Sequence, residues 1–310
     1  MYIRKCRTRC RQPPDNENEV TTRRDRHAPT GSGRWAYHLL AGVPALWLLL
    51  FFIVPLIATL IVSFLRANFG GVSLDFTLAN YATALSGFYL GSFLRTLRFA
   101  LTGSVLCILV AYPVALFISK QTARLKALLL LAVLVPYFSS FLIRVMSWQI
   151  LLARGGPVEF VLNHIGLMNG PLDILDTQVA VFIGIVYAYL PIAIVPLVLV
   201  LSRIPGEYAE ASSDLGAPGW RTFLHITLPL SRPGLATAAL LTAVPMLGEL
   251  VVPMLLGGDK GVLIGVAISS QYLGAQNYPV GSALAVMVLV AAGVIVAGLS
   301  KASDGFREVA

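Results

Sequence analysis

Charge is what this sequence has least of. Of 310 residues only 12% are Asp, Glu, Lys or Arg, while 57% are hydrophobic and the mean hydropathy is +0.78. A soluble domain carries about 25% charged residues. The deficit excludes an ordinary water-soluble fold and places the chain in a membrane. Acids are the scarcer sign, 15 against 23 bases, for a net charge of +8. The bases lie in the N-terminal tail and between apolar runs, which fits topology control and contact with anionic membrane lipid, not nucleic acid. Cysteine is also rare. Cys6 and Cys10 flank arginines in a polar tail and Cys107 sits in an apolar run, so they make neither a disulfide framework nor a zinc set. His27, His38, His164 and His225 are scattered and form no metal cluster or nucleophile–base pair. No Gly-x-x-x-x-Gly-Lys-Ser/Thr occurs, so no nucleotide site is expected on this chain. No catalytic residue, metal ligand, internal repeat or coiled coil is read from it.

What is present is ordered into a tail and a series of apolar runs. Residues 1–34 hold nine Lys/Arg against four acids, with Pro13-Pro14 and Gly31-Ser32-Gly33. Such a segment cannot bury a core and is expected to be a disordered cytoplasmic tail. Arg23-Arg24 precedes Asp25-Arg26-His27 and then an apolar run too long for a cleaved signal. A membrane domain follows over 35–302, and 303–310 form a second short cytoplasmic tail.

A span needs about 20 apolar residues to cross a hydrocarbon core of roughly 30 Å. Six runs meet that length: Tyr37 to Leu65 (with Pro44 and Pro55), Phe93 to Ser119, Ala127 to Leu152, Val179 to Ser202, Gly234 to Leu256 and Val280 to Ser300. The tails, the 120–126 link and the 203–232 loop together hold 17 Lys/Arg, and the alternate loops hold only Arg66, Arg154 and Lys260. The positive-inside rule then puts both termini in the cytoplasm. Short helices are expected at Asn80-Tyr81 and in the 153–178 loop, where Val158, Val161, Leu162 and Ile165 recur at helical spacing.

The longest polar interruption of the apolar second half is the 203–232 loop. Pro205-Gly206 opens a turn, Tyr208, Ala211 and Leu215 repeat with helical period, and Gly216 suits a left-handed cap. Pro218-Gly219 forces a change of direction before a second helical run from Trp220. On its own this is an amphipathic link between two spans. Yet Glu210-Ala211-Ser212, Gly216-Ala217, Ile226, Leu228-Pro229 and Pro233-Gly234 resemble the "EAA" loop of permease subunits of bacterial ABC importers. Ser212 stands where that family more often has alanine. The resemblance continues through Val135-Pro136, Phe141-Leu142-Ile143-Arg144 and Trp148; through Gly184 to Pro191; and through Pro245 to Pro253 with Leu256-Gly257-Gly258. These stretches resemble polyamine-type permeases, the putrescine and spermidine importers.

The resemblance implies an all-α membrane protein with six transmembrane helices and type I importer-permease (MetI-like) architecture, multi-pass in the bacterial inner membrane. It implies a second permease subunit, an ATPase homodimer that alone binds ATP and Mg, and a periplasmic substrate-binding protein. Glu207, Glu210, Ala211, Asp214, Gly216 and Ala217 would form the helix and turn that dock on the ATPase. An opine or amino-acid-like solute is the alternative cargo. Some polyamine members carry an acid just after the position of Pro253, where this chain has Met254.

Two ionisable residues fall inside spans, Arg144 and Glu249, and a charge there is expensive unless paired or hydrated. They read either as an ion pair between the third and fifth helices or as part of a substrate pathway. Glu249 lies between Pro245 and Pro253, so the fifth helix is expected to break there, offering free carbonyls to a cation. Trp148, Tyr187 and Tyr189 offer cation–π faces or plain packing. A secondary transporter, with Arg144 and Glu249 as an ion relay, would require inverted repeats and leave the EAA-like loop without a role. A membrane-embedded enzyme would require converging catalytic groups, and none are visible.

Overall fold

The computed structural model describes residues 32–68, 71–258 and 262–304. The expected tails fall almost wholly outside these residues, as does Lys260. The chain divides into two units at Val54/Pro55. The first holds the leading part of helix α1 (Ser32–Ser63), whose sequence is apolar on every side from Leu39 onward, with Trp47 against Phe51 at 4.3 Å.

The second unit begins with the end of α1 and a feature the sequence did not announce, an antiparallel hairpin of β1 (Leu65–Asn68) and β2 (Gly71–Phe76). The buried Asn80 amide donates to the carbonyls of Ser63 and Leu65, tying α2 (Ala79–Ala84) to that turn. Then come α3 (Gly87–Ser119), α4 (Ala123–Tyr137), α5 (Phe141–Leu152), α6 (Pro157–His164) and α7 (Gln178–Leu201). After the loop helix α8 (Glu207–Asp214), α9 (Gly219–Thr222), a π-turn at Phe223–Thr227 and α10 (Leu228–Leu230) lead into α11 (Arg232–Leu247). The chain closes with α12 (Val251–Leu256), α13 (Ile264–Ser269), a π-turn at Ser270–Gly274 and α14 (Tyr278–Asp304).

Among the described residues, four helices are long and apolar enough to cross a membrane, at Gly42–Ser63, Gly87–Ser119, Gln178–Leu201 and Tyr278–Lys301. Two bent pairs bring the total to six. One correction concerns the third span, read as continuous from Ala127 to Leu152: α4 and α5 meet at 83°. Pro136 has no amide to donate, and Ser139 Oγ turns back to the Pro136 carbonyl at 2.7 Å, so the ladder stops before Ser140. The fifth run does break, as its prolines predict: α11 ends at Leu247 and α12 starts at Val251.

The core is α3, α7 and α11, packed through small residues: Ala100, Ala111 and Ala115 on α3, Ala180 and Ala193 on α7, Ala238 on α11. Water drives nothing between helices in lipid, so close backbone approach and interhelical hydrogen bonds carry the association. Ser104 and Thr242 share a hydrogen bond at 2.7 Å, and Tyr112 and Ser231 one at 2.9 Å, both joining α3 to the fifth span or its entry. Gly234 lies so close to α7 that a Cβ there would sit 2.9 Å from Val200 Cβ. A second cluster of Ala84, Ile264, Ala267, Val280, Ala283 and Leu284 binds α2 and α13 to α14. Outside these contacts the helices expose leucine, valine and phenylalanine, the surface expected of spans facing lipid or another subunit.

Candidate functional site

The 203–232 loop folds as its punctuation predicts. Glu207 and Glu210 occupy the first turn of α8, where the exposed N–H groups favour carboxylates. The helix ends in a Schellman motif. Gly216, at φ +76°, donates to the Ser213 carbonyl at 2.9 Å, and Ala217 donates to the Ser212 carbonyl at 3.1 Å. Glycine suits this position because the left-handed backbone resists a Cβ. No neighbour crowds it: a Cβ would meet nothing within 4 Å.

Ser212, inside the EAA-like segment, does not share its outward surface. It is buried and shares a 2.8 Å hydrogen bond with Thr222, so it pins α8 against α9. The outward surface is made instead by Glu207, Glu210, Ala211 and Asp214 beside the exposed Tyr208, Leu215 and Trp220. Arg221 lies over the Trp220 ring at 5.3 Å. Behind α8, Ala209, Ser213 and Ala217 line a cavity of about 610 Å³ shared with Lys120 of the α3 end and Leu201 of the α7 end. The loop helix is therefore propped off the helix ends and not packed into them.

The second locus is the break in the fifth span. Glu249 is 7% exposed and both its oxygens are engaged. Oε2 accepts from the Tyr189 hydroxyl at 2.6 Å, and Oε1 accepts from the Val251 and Val252 amides at 2.9 and 3.3 Å. The first amides of α12 thus find acceptors, Pro253 has none to offer, and the Met254 amide returns to the Leu250 carbonyl at 3.2 Å. The amides of Val251, Val252 and Met254 at this helix start are accounted for. Two glycines let the neighbours close on the break. A Cβ on Gly265 would sit 2.7 Å from the Glu249 carbonyl oxygen, and one on Gly184 would sit 2.5 Å from Leu256 Cδ1.

Arg144 and Glu249 form no ion pair, which corrects that reading of the two in-span charges. Tyr189 and two amides already satisfy the carboxylate. Arg144 instead lies over the rings of Tyr137 and Phe141, at 5.1 and 5.8 Å, and its buried Nε has no partner. Arg144 and Trp148 stand one turn apart on α5, and Trp148 meets Tyr187 of α7 edge-on at 5.4 Å. Tyr189, two residues from Tyr187, points to another side of α7 and reaches Glu249. No local pattern pairs residues 60 apart, so the signal available in the sequence was the Pro245–Pro253 bracket alone. The same holds for Thr96, whose hydroxyl accepts from the Ile264 amide at 2.8 Å.

Helices long and apolar enough to cross a membrane, two of them bent, with a polar loop helix propped beneath, define a multi-pass membrane protein. Residues 103–306 match the family described as binding-protein-dependent transport system inner membrane component. The chain belongs to that family: it is a multi-pass inner-membrane permease subunit of an ABC importer. It is 34% identical over 258 residues to the spermidine/putrescine transport system permease protein PotB of Escherichia coli (strain K12), spanning 83% of this chain and 94% of that one. It is also 34% identical over 250 residues to PotB of Salmonella typhimurium (strain LT2), spanning 80% and 87% of the two chains. Its fold matches a chain of a bacterial ABC transporter involved in the import of the acidic polysaccharide alginate. There the TM-score is 0.66 and the identity 20%, covering 88% of this chain and 96% of that one.

Proposed function

We propose that this permease imports a polyamine such as spermidine or putrescine, handed over by a periplasmic binding protein. The observation that carries the reading is the 34% identity, over four-fifths of the chain, to permeases of spermidine/putrescine systems. The chain pairs with a second permease and with an ATPase homodimer, and ATP and Mg are bound by that ATPase and not by this chain. Both termini and the α8 loop face the cytoplasm; the 17-to-3 asymmetry of loop bases supports that orientation. Glu207, Glu210, Ala211 and Asp214 present the docking face of α8, and the turn at Gly216-Ala217 fixes its angle. The solute passes along the face carrying Trp148 and Tyr187, whose rings suit an ammonium. Glu249 holds the break in the fifth span open from behind.

A second reading has one observation in its favour. The buried, unpartnered Nε of Arg144 would suit a carboxylate, as in an opine or amino-acid derivative. The deciding experiment is a thermal-shift screen on the partner periplasmic protein, paired with uptake by Arg144→Gln. Stabilisation by spermidine, with uptake kept in the variant, supports the polyamine. Stabilisation by an opine alone, with uptake lost in the variant, overturns it.

A further inference from the structure

Near the starts of α3 and α7, Arg95, Arg98, Phe99, Thr102, Gln178, Val181, Phe182, Val262 and Leu263 enclose a cleft of about 170 Å³. One water needs only ~10–15 Å³ of such space. Among the described residues the cleft holds two cations and no acid. Arg95 reaches, among the described residues, only its own helix, through long contacts from Nε to the Gly91 carbonyl (3.3 Å) and from Nη2 to Ser92 Oγ (3.4 Å). The Arg98 guanidinium has no partner among the described residues.

Depth identifies the ligand class. On α3 the stretch Phe99–Ser119 is free of charge, and at 1.5 Å per residue it spans roughly 30 Å, the thickness of the hydrocarbon core. On α7 the apolar stretch starts at Val179, immediately after the polar Gln178. Arg98 and Gln178 therefore mark the same boundary, and Arg95 lies one turn beyond it. That boundary is the headgroup layer, where phosphates are. The walls beneath, Phe99, Val181, Phe182 and Leu263, are apolar and continue toward the hydrocarbon. We propose that this cleft holds the phosphodiester of an anionic lipid, with Arg98 and Arg95 donating to its oxygens and the apolar walls taking the start of an acyl chain. The proposal rests on the membrane fold and not on the identity of the solute.

The test uses the full-length protein, purified and delipidated in non-ionic detergent. Phosphatidylglycerol and phosphatidylcholine of equal chain length are titrated in turn, and bound lipid is counted by native mass spectrometry. Each interfacial basic residue contributes about fivefold to anionic-lipid binding, so both together contribute on the order of 30-fold. R95Q/R98Q should lose a preference of that size for phosphatidylglycerol, and R98K should retain most of it. The basic tail is common to all variants, so it cancels. Unchanged preference in R95Q/R98Q, with R98Q alone also unchanged, overturns the site. Displacement of the lipid by inorganic phosphate at equal concentration overturns the lipid as its source. Loss of a co-expressed second permease in the double variant, with lipid counts intact, overturns the proposal by assigning the cleft to that partner.

Discussion

The Tyr189 hydroxyl donates to Glu249 Oε2 at 2.6 Å, joining α7 to the break in the fifth span. Because the other carboxylate oxygen takes two amides of α12, one side chain both caps a helix and ties it to its neighbour. A hydrogen bond to a charged group contributes about 1.5–3 kcal/mol, and a buried polar group stripped of its partner costs about 1–3 kcal/mol.

The first expectation follows from that bond. Tyr189→Phe should lower stability by about 1.5–3 kcal/mol, read as a lower thermal midpoint in detergent. Glu249→Ala should cost more, since it strands a phenol and two amides together. Glu249→Gln, which keeps an acceptor, should fall between wild type and Glu249→Ala. Equal midpoints for wild type and Glu249→Ala would show that the carboxylate does not hold the break.

A second expectation concerns close approach at the same place. Gly265→Ala puts a methyl 2.7 Å from the Glu249 backbone oxygen, which cannot swing aside as a side chain would. Overpacking of this kind costs about 1–3 kcal/mol. Gly293→Ala in α14 meets nothing within 4 Å and should be neutral or stabilising by about 0.5–1 kcal/mol. The thermal midpoint should fall for Gly265→Ala and hold or rise for Gly293→Ala; an equal fall in both would count against the packing at the break.

Local rules reached some of this arrangement and not the rest. The loop helix, its glycine cap and the break near Glu249 were all legible because proline, glycine and period 3.6 act within a few residues. Six spans were legible from length alone. The bend at Ser139 was not, since Pro113, Pro191 and Pro196 lie inside helices that continue past them. Whether a proline breaks a span depends on what neighbouring helices offer the freed carbonyl. The β1–β2 hairpin was missed although Val72, Leu74 and Phe76 alternate with Ser73 and Asp75, because its partner strand is only four residues long and is anchored from outside by Asn80. The placement of Arg144 over two rings, and not beside Glu249, depends on the direction α5 takes after that unforeseen bend.

Topology gives a third expectation. In a variant lacking Cys6, Cys10 and Cys107, a cysteine at the exposed Thr122 should resist an impermeant maleimide added to spheroplasts. One at the exposed Asn163 should react. Reaction at 122 with protection at 163 would invert the orientation on which the docking of α8 depends.

The central claim is that α8 couples this permease to an ATPase, and the most direct measurement is ATP-dependent uptake of labelled spermidine in proteoliposomes. The vesicles hold the wild-type chain or Gly216→Val, together with its partner subunits and the binding protein. At φ +76° a β-branched side chain costs about 1–2 kcal/mol and opens the Schellman turn, while nothing in the spans is touched. The account predicts uptake that requires ATP in wild type and falls sharply in Gly216→Val, with less ATPase co-purifying and normal membrane insertion. Uptake that persists without ATP, or that Gly216→Val leaves unchanged with the ATPase still bound, would contradict it.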